Sequence, residues 1–395
     1  MNAIRDIDTF VDPTHDEIAR RGYISRLRKH VLSDLSNTMQ NAYDATVKPA
    51  FEAAHGREPE NGEEIRDAIE GNLAYRTWSS IRYNAQEMVW ESVRDEVERQ
   101  LPAMISVAEQ AAQSNSHVGS LTLDPTLQMP DYVDSMDVHL MPGCWQEEHT
   151  EGDVAQGAVY AHGGAVFRGS LIQLDKRSGV AASVSQWLSI RDPEFKPEKI
   201  LETGCTIGNN LFPYRDIYPD AELYGVDVAA PCLRYAHARA VARNINAHFS
   251  QENAERLSFE DNTFDLIVSS FFFHETAVAA TKKMLAECRR VLKPGGRMVH
   301  MELPSASQVD AYYNFVLDWD NEHNNEPHYR NFRSQDFTDL MTDAGFAKDD
   351  CFMESIPEVS AVSEEHFRDV ALGKAPPPTH GNYTSWCLFG ATKAR

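Results

Sequence analysis

The sequence predicts an α/β chain: a seven-stranded sheet with intervening helices in the second half, preceded by a mostly helical N-terminal domain. Three observations predict it. Short apolar runs such as Lys199-Ile200-Leu201 and Phe264-Asp265-Leu266-Ile267-Val268 read as buried parallel strands, which carry apolar residues on both faces. A glycine-bearing turn follows the first of these runs. In the first third of the chain, apolar residues recur at helical rather than alternating spacing.

Residues 1–13 read as a polar, poorly fixed lead. Thr14-His15-Asp16-Glu17 is a capping box, with Glu three residues after Thr. Behind it Ile18, Tyr23, Leu27, Val31, Leu35 and Met39 mark a helix that runs to about Ala54 and stops at His55-Gly56. A second helix is expected over about 62–97, and a third over 102–113. Its aromatics Tyr75, Trp78, Tyr83 and Trp90 suit a bundle core, a pocket wall or a dimer face. Residues 120–170 are rich in proline and glycine and read as a long connection without regular elements, folded over a ligand site. A helix over 171–191 precedes the sheet. Strands are expected near 198–203, 222–227, 246–250, 264–270, 296–303, 350–356 and 384–392, with helices over 231–244, 277–292 and 334–344. The division is then 1–119 helical domain, 120–190 connecting segment, 191–395 Rossmann-like domain.

The stretch Lys199 to Gly208, KILETGCTIG, joins a strand, a turn with Gly204 and Gly208, and a helical restart. Glycine lets backbone approach a ligand where a Cβ would clash. The next strand, Glu222 to Asp227, also ends on an acid, placed as a ribose-binding carboxylate is placed in dinucleotide folds. With NAERLSFEDNTFD and RRVLKPGG further on, the chain from about Pro197 to Arg395 resembles the class I S-adenosylmethionine (SAM)-dependent methyltransferases of small molecules and quinone pathways. The resemblance implies the strand order 3-2-1-4-5-7-6, SAM as cofactor and S-adenosylhomocysteine as product. It departs from the family at Thr206, usually glycine, and at Asn253, often Asp.

By that resemblance Glu202, Gly204, Cys205, Thr206 and Gly208 surround the methionine part of SAM. Asp227 holds the ribose, Val228 packs on the adenine, Asn253 and Ala254 meet the adenine edge, and Ser270 borders the site. A general base helps remove a proton from an oxygen or sulfur acceptor. His274, beyond the fourth expected strand, is the first candidate, and Glu302 the second. His139, Trp145, Tyr160 and His162 from the connecting segment, and Arg330, are candidates to contact substrate. No metal site is expected; the nearest set is His300 and Glu302 with a further histidine.

The chain has 395 residues, 42% of them hydrophobic, with a formal net charge of −23. That charge argues against nucleic acid and against an anionic membrane as partners. The six scattered cysteines form no C-x-x-C motif and read as reduced thiols of a cytoplasmic protein. No signal peptide or transmembrane run is expected. The expected function is methyl transfer from SAM to an oxygen, sulfur, nitrogen or carbon of a small molecule, by a homodimer. A cyclase-like SAM-binding catalyst and an inactive partner protein on the same fold are the alternatives.

Overall fold

A computed structural model describes residues 4–114, 118–169, 179–380 and 385–395. The expected strands form, and an eighth joins them. They are β1 (Ser120–Thr122), β2 (Lys199–Thr203), β3 (Glu222–Asp227), β4 (Ala247–Gln251), β5 (Phe264–Ser270), β6 (Leu292–Glu302), β7 (Cys351–Pro357) and β8 (Ser385–Thr392). The sheet order is β1-β4-β3-β2-β5-β6-β8-β7. Strands β1 to β6 pair in parallel, and β8 runs antiparallel between β6 and β7. The extra strand β1 comes from the connecting segment and sits beside β4, with Leu121 opposite Phe249. The topology reverses at β2, which lies between β3 and β5. Open α/β sheets bind ligands in the crevice at the carboxyl ends of such strands.

The N-terminal capping box forms: Thr14 Oγ1 accepts from Glu17 N at 3.3 Å, and Glu17 Oε2 accepts from Thr14 N at 2.8 Å. The described part of the lead before it, from residue 4, is fixed rather than loose. Ile7 is fully buried, Asp8 Oδ1 accepts from Tyr235 Oη at 2.6 Å, and Asp6 Oδ2 accepts from Arg243 Nε at 2.7 Å. Ion pairs to the sheet's own helix outweigh the polar character of the segment.

The expected second and third helices divide differently. Helix Gly62–Ile69 ends at Glu70-Gly71, and one helix of 41 residues, Leu73–Gln113, carries Pro102 inside it. The break falls where Asn72 caps the new helix through Ala74 N at 2.8 Å. Proline removes one helical hydrogen bond, but the helix is held on both sides of it by a common core that includes Val97, Met104 and Val107.

The connecting segment holds a helix that its composition concealed, Ala155–Arg168. Its glycines are packing contacts, not breakers. A Cβ on Gly163 would lie 2.6 Å from Trp90 Cε3, and one on Gly157 would lie 2.5 Å from Tyr235 Cβ. Three helices (Leu73–Gln113, Ala155–Arg168 and Ala230–Ala242) thereby share one core. The expected helix over 171–191 is described only from Val180, as Val180–Arg191; 170–178 lie outside the described residues. The helix expected over 334–344 is shorter, Phe337–Asp343, and its cap is Asp336 rather than Ser334, because the Asp336 carboxylate accepts from Thr338 N and Asp339 N.

The segment after β6 returns to the N-terminal helices. Trp319, on helix Ala311–Glu322, stacks on Trp78 with ring centroids 3.4 Å apart, and its Nε1 donates to Ser79 Oγ at 2.9 Å. Both indoles are 2% exposed. Trp319→Ala is therefore expected to cost about 3 kcal/mol, near the lower end for a buried Trp. The urea midpoint measures it; an unchanged midpoint would mean the stack adds nothing. No described helix is long and apolar enough to cross a membrane. All six cysteines are unpaired.

Candidate functional site

A cavity of about 460 Å³ opens at the carboxyl ends of β2, β3 and β5. One wall is made by the residues that follow those strands. Gly204 has φ +68°, and a Cβ there would lie 2.2 Å from Phe272 Cδ2, so only glycine fits. Thr206 has φ +48°, which explains the glycine usual at this place in the resembling family: a β-branched residue is strained in that region. Its backbone N–H donates to Asp227 Oδ2 at 2.8 Å, and its hydroxyl lies 3.4 Å from the Gly204 carbonyl. Asp227 Oδ1 accepts from Ala229 N at 3.0 Å. Each Asp227 oxygen has a further lone pair, and the residue lines the cavity. Burial pushes the Asp227 carboxyl up, against the pull of the N–H groups of Ala229, Thr206 and Val228.

Val228, Asn253, Ala254 and Ser270 also line the cavity, as expected. The Asn253 side-chain oxygen accepts from Glu255 N at 2.9 Å and keeps its second lone pair. Glu202, Cys205 and Gly208 are the exceptions among the expected cofactor residues: they stand behind the wall, not on it. Glu202 is paired in register with Gly225 and Val268, is 1% exposed, and its Oε2 has no hydrogen-bond partner among the described residues. Burial and then the nearby Asp227 charge hold its carboxyl well above the usual range. Asp227 on the cavity wall, with no side chain at Gly204 to crowd it, fits a nucleoside such as that of SAM.

The opposite wall carries a cluster of imidazoles and carboxylates. His139 Nε2 lies 2.9 Å from Glu275 Oε1, and its Nδ1 lies 3.0 Å from Glu326 Oε1. His274 Nε2 lies 3.4 Å from Glu275 Oε1 and 3.9 Å from Glu326 Oε2, while His274 Nδ1 meets Glu302 Oε2 at 2.5 Å. Glu302 Oε1 accepts from Phe272 N at 3.0 Å and Phe273 N at 2.8 Å. Asn324 Nδ2 reaches Glu326 Oε1 and, at 2.8 Å, His139 Nδ1. Burial pulls the His274 imidazole down, but Glu302 and Glu275 outweigh it and hold it well above the ordinary range. Burial likewise opposes, and Glu275 and Glu326 overcome, in raising His139 to about 10. Glu275 is lowered: the His139 charge beats burial.

These contacts alter several expectations. Both ring nitrogens of His274, the expected base, face carboxylates: Nδ1 meets Glu302 and Nε2 meets Glu275. Glu302 does not line the cavity; it is fully buried and holds His274 and the β5 loop in place. His139, Trp145 and Tyr160 do line the cavity. His162 does not: it faces Tyr235, with Nε2 3.5 Å from the phenol oxygen, and burial pushes it down to about 4. Arg330 does not either, since it pairs with Asp318 at 3.3 Å and Glu63 at 3.6 Å on the far side of its helix. His300 Nδ1 bonds Ser269 Oγ at 2.8 Å inside the core, and among the described residues it belongs to no group that could hold a metal. The wall also contains Glu326 and Asn324, which the sequence reading missed. The sequence signal for these two was the polar, histidine-bearing run Asn321-Glu322-His323-Asn324-Asn325-Glu326.

Residues 200–296 match a family model described as a methyltransferase domain. The demethylmenaquinone methyltransferase of Thermus thermophilus is 36% identical over 111 residues, which is 28% of this chain and 50% of that protein. The ubiquinone/menaquinone biosynthesis C-methyltransferase UbiE of Pasteurella multocida is 34% identical over 127 residues, 30% of this chain and 46% of that protein. The chain thus spans about half the length of the curated relatives it matches. The solved phosphoethanolamine N-methyltransferase 2 of Haemonchus contortus has a TM-score of 0.39 and 16% identity, over 55% of this chain and 53% of that one. The fold is a Rossmann-like α/β sheet with its crevice at the strand ends, and its residues 200–296 are similar to a methyltransferase domain. The resemblance to class I SAM-dependent methyltransferases is thus supported over residues 200–296, the part that carries the glycine turn and Asp227.

Proposed function

We propose that the chain transfers a methyl group from SAM to a nucleophilic oxygen, sulfur, nitrogen or carbon of a small molecule. The observation that carries the reading is that one cavity joins the expected nucleoside residues to the His139, His274 and Glu275 wall. Bound there, SAM supplies an electrophilic methyl group. Asp227 takes the ribose hydroxyls with its spare lone pairs, and Asn253 with Ala254 borders the adenine. Trp145, Tyr160, Phe271 and Trp386 enclose the other end and keep water out, which favours attack by a desolvated acceptor. His274 and His139, held by Glu302, Glu275 and Glu326, form the wall against which an acceptor rests. The two relatives are named for methylation in quinone pathways, and for this chain the acceptor is proposed by class alone. A homodimer in solution belongs to the same proposal.

The test is calorimetric titration with SAM and S-adenosylhomocysteine, then incubation with deuteriomethyl-SAM and metabolite extracts read by mass spectrometry. Binding of both nucleosides and a deuteriomethylated small molecule are expected. No binding would remove the proposal. Binding with a rearranged, unmethylated product would point instead to a non-methylating catalyst.

A further inference from the structure

The His/Glu cluster has features that hydrogen bonding between its members leaves unexplained. It is assembled from three separate segments: the turn Val138–Leu140, the turn Phe273–Glu275 after β5, and the loop behind helix Ala311–Glu322. One ligand atom each from His139, Glu275 and Glu326 lies within 4.8 Å of the other two. Nitrogen and oxygen ligands bound at about 2.1 Å around a tetrahedral ion stand roughly 3.4 Å apart. His274 Nε2, at 3.4 Å and 3.9 Å from the two carboxylates, has that spacing.

Two further observations point to an ion. Glu275 Oε2 and Asn324 Oδ1 are buried and have no hydrogen-bond partner among the described residues, and Asn324 is 3% exposed. Both residues line the cavity, so lone pairs are available at the cluster. Secondly, His274 Nδ1 is held by the Glu302 carboxylate, which is itself fixed by two backbone N–H groups. Metal-ligating histidines are oriented in this way, with the free nitrogen's lone pair aimed at the ion. His139 is held as firmly: its carbonyl accepts from Gln86 Nε2 at 2.9 Å and Trp90 Nε1 at 2.7 Å.

We propose that His139, His274, Glu275 and Glu326 bind a divalent first-row transition ion at the acceptor end of the cavity. Two imidazoles and two carboxylates suit Zn²⁺, Mn²⁺ or Fe²⁺ better than Mg²⁺ or Ca²⁺, which take oxygen ligands. The ion would bridge the Glu275 and Glu326 carboxylates that now converge on His139. Its cavity side is where an acceptor hydroxyl, thiol or amine would ligate. That acceptor class rests on the methyl-transfer reading; the binding of the ion does not.

The experiment uses the full chain, stripped with chelator and dialysed. Zn²⁺, Mn²⁺ and, without oxygen, Fe²⁺ are titrated calorimetrically, and Co²⁺ is added for its visible spectrum. One equivalent of at least one ion is expected, with a four- or five-coordinate Co²⁺ spectrum. His139→Ala and Glu326→Gln should each weaken uptake about 100-fold, and Glu302→Gln about 10-fold. SAM binding by Glu326→Gln serves as the fold control, and the isosteric Glu275→Gln replaces any variant that does not fold. No stoichiometric uptake by the unsubstituted chain overturns the proposal, whether or not SAM binds. Uptake that the substitutions leave unchanged marks an adventitious ion and also overturns it.

Discussion

Asp227→Ala is expected to lower the affinity for SAM by about 100-fold or more. Charge-assisted hydrogen bonds contribute about 1.5–3 kcal/mol each, and Asp227 has one spare lone pair on each oxygen for the two ribose hydroxyls. The substitution also releases Thr206 N and Ala229 N, which the carboxylate now holds at 2.8 and 3.0 Å. Thr206 sits at φ +48°, a conformation a threonine keeps only under restraint. The turn should therefore relax as the ribose contact is lost. Asp227→Asn keeps an acceptor but no charge, so its loss should be smaller, about 10-fold. Calorimetry on both variants, with thermal melts to verify folding, checks the order. Equal affinity in all three proteins would mean that the acid at the end of β3 does not hold the nucleoside.

Much of the sheet was legible because buried parallel strands are written as apolar runs. β2, β3 and β5 fell within a residue of their expected bounds. The glycine turn was legible because Gly204 has no alternative residue. β1 was not, since three residues, Ser120-Leu121-Thr122, are too few to show a period. Helix Ala155–Arg168 was hidden because glycine reads as a breaker. Here Gly157 and Gly163 instead let this one helix approach Tyr235 and Trp90 on its two neighbours. Side-chain chemistry alone picked His139, Trp145 and Tyr160, which line the cavity, but it also picked His162 and Arg330, which do not. Residue type does not reveal which face of a helix a side chain takes. The meeting of His139 with Glu275 and Glu326, 136 and 187 positions away by residue number, depends on tertiary packing that no local pattern encodes.

Glu302→Ala should be the most damaging single change to stability in the sheet. The carboxylate is fully buried and does three things at once: it pairs with His274 and accepts from Phe272 N and Phe273 N. Removing one member of a buried pair costs about 3–5 kcal/mol, because the other charge is left uncompensated. Two orphaned backbone donors add to that, so about 5 kcal/mol is expected. The effect should also reach the cavity. Phe272 packs over Gly204, and the turn that Glu302 holds carries His274 and Glu275 to the opposite wall. Glu302→Gln retains an acceptor for the N–H groups but not the charge. It should recover part of the stability while leaving His274 poorly oriented. Urea unfolding of both variants gives the stability order, and the kcat of each for the acceptor found with deuteriomethyl-SAM gives the second readout. A Glu302→Gln protein with native stability and undiminished kcat would show that the carboxylate neither braces the β5 turn nor positions His274.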